Sequence, residues 1–91
     1  MPYTSVSASG SVASGNAKLL TGWSFAETAG QVARVRLRDG AGVAAPIVVS
    51  INLAANESVR DWLFPQALEL TSGSLYAEVV VGSVEGAAFW A

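Results

Sequence analysis

In Gln31–Asp39 and again in Pro46–Leu53 the chain shows period-two alternation, and helical periodicity is nearly absent throughout. That regularity rules out a helical bundle and points to antiparallel sheet, in which one face of each strand packs and the other meets solvent. In Gln31–Asp39, Ala33, Val35 and Leu37 point one way while Arg34, Arg36 and Arg38 point the other. In Pro46–Leu53, Ile47, Val49, Ile51 and Leu53 share a face, with Ser50, Asn52 and Val48 opposite. Pro46 suits a first strand position, where its missing N–H costs little.

The same alternation recurs between clusters of Gly, Ser, Asn and Asp. Asn16–Thr28 carries Leu20, Trp23 and Phe25, with Gly22 as a candidate bulge. Ser58–Phe64 follows the turn-like Ala54-Ala55-Asn56-Glu57 and stops at Pro65, and Ala67–Leu70 is short. Val6–Gly15 is rich in Ser, Gly and Ala and reads either as an edge strand or as an extended arm within residues 1–15. Near the end, Gly82-Ser83 separates two apolar runs, a two-residue hairpin signature. That hairpin pairs Val81 with Val84, Val79 with Gly86, Ala77 with Ala88 and Leu75 with Trp90, and it puts Glu78 and Glu85 together on the other face. The whole chain, 1–91, predicts one all-β domain: an antiparallel β-sandwich of seven or eight strands, jelly-roll or immunoglobulin-like. Leu70, Gly73 and Tyr76 are spaced as in the tyrosine corner of immunoglobulin-like sandwiches, and a plain hairpin across Thr71–Ser74 accounts for them equally.

Composition says what such a sandwich must do with its surface. Charged residues make up 13% of the chain, against roughly 25% in typical domains. Too few charges remain to cover an ordinary monomer, which implies an oligomer or a module docked on something larger. The net charge of −2 argues against general nucleic-acid binding. No stretch approaches the ~20 apolar residues of a membrane-spanning helix. The start, MPYTSVSASG, lacks the basic and apolar regions of a secretory signal, so use without export is expected.

Chemistry is sparse. With no histidine and no cysteine, the commonest general base, metal ligand and thiol nucleophile are all missing. No GxSxG elbow, SxxK pair or phosphate-cradling glycine motif occurs. The one catalytic option is a carboxylate pair, Glu78 with Glu85, whose diagonal placement of roughly 7–8 Å lies in the glycosidase range. A solvent-facing or interfacial pair explains it more simply. No catalytic residue, cofactor site or metal site is therefore assigned.

Five side chains stand out for binding: Arg34, Arg36 and Arg38, then Arg60 and Trp62. On a strand the first three form a ladder with steps of about 6.6–7 Å. The expected partners are carboxylates of an adjacent strand or subunit, since arginine's planar head suits such pairs. A solvated face and a phosphate-binding row are the alternatives, the latter disfavoured by the acidic balance of the chain. Trp23 and Trp90 are expected to fill the core or an interface. Trp62, beside Arg60 and Asp61, is equally suited to an exposed aromatic platform for sugar rings.

The runs ARVRLRDG, LAANESVRDWLFPQALEL and SGSLYAEVVVGSVEGAAFW resemble small all-β virion proteins of tailed bacteriophages. The resemblance covers roughly residues 6–90 and rests on the order of turns and strands. It implies a non-enzymatic structural protein, a head decoration or cementing protein or a head-fibre component, located in the virion and assembled in the bacterial cytoplasm. It further implies self-association, with a trimer favoured on that ground alone, and contact with the major capsid protein or another virion protein. No catalytic residue, cofactor, nucleic acid or membrane comes with it. A carbohydrate-binding β-sandwich module is the alternative function.

Overall fold

A computed structural model describes residues 3–63 and 66–91, and every element in it is a strand. In chain order these are β1 (Tyr3–Val6), β2 (Gly10–Ala13), β3 (Leu19–Glu27), β4 (Ala33–Asp39), β5 (Ile47–Leu53), β6 (Ser58–Trp62), β7 (Leu68–Glu69), β8 (Leu75–Val81) and β9 (Val84–Trp90). Among the described residues nine strands replace the expected seven or eight, because the N-terminal segment supplies two. Phe64, the expected end of the Ser58 strand, and the stop at Pro65 lie outside the described residues.

Two antiparallel sheets face each other. One has the order β1-β9-β3-β6, with β7 also pairing with β3, and the other β2-β8-β4-β5. The pairs β1·β9, β2·β8, β3·β6 and β4·β5 reveal one long two-stranded ribbon, turned back on itself between Gly40 and Pro46. The ribbon crosses from sheet to sheet at three corners, so successive pairs alternate between layers. This is jelly-roll order. An immunoglobulin-like sandwich is excluded, because β1 and β2 belong to different sheets. The proposed tyrosine corner does not arise: Tyr76 stands on β8 in register with Ser11 and Arg38. Thr71–Ser74 is likewise no hairpin, since β7 and β8 lie in different sheets.

The expected C-terminal hairpin is corrected in the same way. β8 and β9 do not pair; Gly82-Ser83 carries the chain across the sandwich. Gly82 has φ +83°, and a Cβ there would lie 2.5 Å from the Val32 carbonyl oxygen and 2.8 Å from the Ala33 Cα. Only glycine fits both the left-handed backbone and that approach. The apolar faces of the two strands still point inward, but they meet across the core instead of side by side. Leu75, Ala77, Val84 and Ala88 are buried, whereas Val81, at the sheet's end, is 50% exposed.

The core lies between the layers. Leu20, Trp23 and Phe25 of β3 and Val6 of β1 face Val35 and Leu37 of β4, Ile51 and Leu53 of β5 and Val12 of β2, all buried. Trp90 is only partly buried against them, its Nε1 donating to Thr4 Oγ1 at 3.4 Å. Pro46 sits one residue before β5, its carbonyl accepting the Asp39 N–H at 2.9 Å. The result is a slab of 34 × 28 × 17 Å with two broad outer faces.

Candidate functional site

The five predicted binding residues fall on opposite faces of the slab. Arg34, Arg36 and Arg38 occupy the outer face of the β2-β8-β4-β5 sheet, whereas Arg60 and Trp62 of β6 belong to the other sheet. They cannot form one site.

On the arginine face, Glu78 of β8 stands in register with Arg36 but bonds to Arg38. Arg38 donates from Nε at 3.0 Å and from Nη2 at 2.9 Å to Glu78 Oε1, and from Nη1 to the Ala45 carbonyl at 2.6 Å. The extra carbonyl explains the choice: it fixes the guanidinium of Arg38 where its fork reaches Glu78. Arg34 donates to Asn52 Oδ1 at 2.8 Å. Arg36 makes no hydrogen bond or ion pair among the described residues, and its Nε is buried. The expected carboxylate partner thus exists within the chain for one arginine of three. Three guanidiniums against one carboxylate leave this face at +2, so the rest of a chain at −2 overall carries −4.

On the opposite face the register aligns Tyr3, Phe89, Gly22 and Trp62 across β1, β9, β3 and β6. Tyr3 and Phe89 rings lie 5.9 Å apart, and Phe89 and Trp62 rings 4.9 Å. Gly22 makes this row possible. A Cβ there would meet the Asp61 carbonyl oxygen at 2.5 Å and the Trp62 ring at 3.1 Å, so its absence lets the indole reach over β3 to Phe89. The expected bulge is present as a register shift between Leu20 and Gly22. Tyr3 is 63% and Trp62 51% exposed, making a contiguous aromatic strip open to solvent. Beside it the next rows align Ser5, Ala87, Ser24 and Arg60, then Glu85, Ala26 and Ser58. Arg60 and Glu85 are exposed and have no partner among the described residues. Tyr3 and Phe89 escaped the sequence reading because only the folded register places them beside Trp62.

The Glu78–Glu85 pair does not exist. Each glutamate lies on the outer face of a different sheet, so the diagonal geometry that raised a hydrolytic reading is gone. Among the described residues no group of three or more Asp and Glu side chains could hold a metal ion. An open cleft of about 380 Å³ beside Arg34, Asn52 and Val81 contains no carboxylate or other general base.

Two carboxylates the sequence reading passed over are structural. Buried Glu27 closes the β3–β4 corner by accepting the backbone N–H groups of Asn56 (2.9 Å), Ala29 (2.6 Å), Gly30 (2.8 Å) and Gln31 (3.1 Å). The bond from Asn56 leads in holding its carboxyl below the usual range, against the opposing effect of burial. Asp39 accepts from Ser72 Oγ (2.7 Å) and N (3.0 Å) and from Thr71 N and Oγ1 (both 2.9 Å). Those bonds, the Ser72 hydroxyl first, lower its pKa to about 2.

The segments that carry the phage resemblance include β4, β6, β7, β8 and β9 as well as the turns between them; at three of the turn positions, Asn56 (φ +62°), Gly73 and Gly82, the residue type follows from positive φ. No protein-family model, curated protein or solved structure matches the chain.

Proposed function

We propose that the protein is a non-enzymatic structural module of a phage particle, docking through its arginine face onto an acidic surface of a larger virion protein. One observation carries the docking: Arg36 sits at the centre of a ladder with an excess of two positive charges and has no intramolecular acceptor among the described residues. A guanidinium kept in that state is costly to the free molecule and is relieved when a partner carboxylate meets it. The broad, thin slab suits flat apposition, and the location in a virion rests on the resemblance in the order of turns and strands. In this reading the contribution is mechanical: many copies, each bridging neighbouring subunits, sum their binding free energy against rupture of the shell.

The test is cosedimentation of purified protein with phage heads that lack it. Binding should saturate at a fixed copy number, weaken as salt rises, and fall at least tenfold in Arg36→Glu while Trp62→Ala binds normally. Salt-independent binding that survives Arg36→Glu contradicts the proposal.

A second reading, carbohydrate binding, is favoured by the aromatic strip with unpaired Arg60 and Glu85 beside it. Sugar rings stack on exposed aromatics while their hydroxyls take polar neighbours. Loss of glycan binding in Trp62→Ala, with head binding absent in the wild type, selects that reading.

A further inference from the structure

The four outer edges of the sandwich are not alike. β1 and β2 are four residues long, and β2 carries a register shift. β6 places Arg60 and Asp61 on its edge, beside the two-residue β7. Short length, irregularity and charge are the usual protections against strand pairing between molecules. β5, Ile47–Leu53, is seven residues long, reads IVVSINL, contains no charge and, among the described residues, pairs only with β4. Its one protection is a bulge at Val48, where Leu37 faces Val49 and Arg38 faces Ile47, and it leaves Val49–Leu53 in regular register with β4. Its first residue, Ile47, is exposed, as is Val43 in the preceding turn.

We infer that β5 is the self-association edge: two copies join by antiparallel β5–β5 pairing about a two-fold axis at Ile51. That register pairs like with like. Ile51 meets Ile51, Val49 meets Leu53 on the inner side, and Ser50 meets Asn52 on the outer side. A shift by one residue would set polar against apolar side chains on both faces. The interface is isologous and closes at two copies, since each molecule has one such edge. It therefore leads to two copies where the resemblance implies three.

Charge permits the pairing. With strands about 4.8 Å apart, the two β4 ladders stand about 14 Å from one another across the joint, beyond the roughly 8 Å screening length at physiological salt. Consequence follows from symmetry: a two-fold axis normal to the sheet puts both outer faces on the same side. The dimer presents six arginines on one eight-stranded surface, so that two docking faces act together on one partner. The pairing itself is independent of what that partner is.

Because the chain has no cysteine, disulfide trapping reads the register directly. Across the joint Ser50 and Asn52 have Cα atoms about 4.5–5.5 Å apart, within disulfide reach. The double variant Ser50→Cys/Asn52→Cys should form a covalent dimer on mild oxidation. Either single variant should not, its own copies lying more than about 7 Å apart. Ser5→Cys on the β1 edge is the control, and sedimentation of the unmodified protein at tens of micromolar should show a dimer. A monomer, a trimer, or cross-linking of the double variant no faster than the Ser5→Cys control overturns the inference.

Discussion

Replacing Arg36 by methionine should stabilise the isolated protein. The Arg36 Nε is buried without an acceptor, a condition that costs about 1–3 kcal/mol. Its charge stands one ladder step, about 7 Å, from both Arg34 and Arg38, worth about 0.6 kcal/mol of repulsion each in a water-like dielectric. Against this, Glu78 in register at about 5 Å returns about 0.8 kcal/mol, and it is already engaged by Arg38. Methionine keeps the unbranched stem that covers the sheet and removes donor and charge together. The net expectation is a gain of about 1–3 kcal/mol, each kcal/mol raising Tm by about 4–8 °C for a domain of this size. Arg38→Met should do the opposite. It strips Glu78 of its partner and the Ala45 carbonyl of its donor, costing about 1–2 kcal/mol even with Arg36 free to turn toward Glu78. Thermal and urea melts of both variants beside the wild type settle the matter. A loss of 1 kcal/mol in Arg36→Met, or no loss in Arg38→Met, would show that Arg36 is held by folding and refute the claim that it is kept for a partner.

Acid should loosen the corners first. Asp39 is depressed from 3.8 to about 2, so the folded state binds fewer protons there than the unfolded one; its contribution is complete above about pH 4 and disappears as pH falls toward 2. Glu27 is lowered in the same direction from 4.5, and urea melts from pH 6 to 2 should fall steeply in that window, less so in Asp39→Asn. Gly22→Ala forces a Cβ onto the Asp61 carbonyl and should cost about 1–3 kcal/mol, with a change in Trp62 fluorescence as the indole leaves Phe89.

The inward faces of β4, β5, β8 and β9 are legible as period-two alternation, and the sandwich follows from them. What alternation cannot convey is whether two successive strands pair in one sheet or face each other across a core. Leu75, Ala77, Val84 and Ala88 are buried either way, so the Gly82 turn read as a hairpin when it is a crossing. That single ambiguity put Glu78 beside Glu85 and left Trp62 unassociated with Tyr3 and Phe89. The arginine ladder was visible, but its pairing depended on the Ala45 carbonyl, which the β4–β5 turn brings to Arg38 and not to Arg36. Glu27 and Asp39 stayed hidden because their furthest partners, Asn56 and Ser72, lie 29 and 33 residues away.

The docking claim is tested most directly by cryo-EM of a phage particle carrying this protein. The account predicts copies at symmetry-related positions, with Arg34, Arg36 and Arg38 turned toward the partner and a carboxylate within about 3 Å of the Arg36 guanidinium. Copies seated by the Tyr3–Phe89–Trp62 face with the arginines in solvent, or copies at no symmetry-related positions, would contradict it.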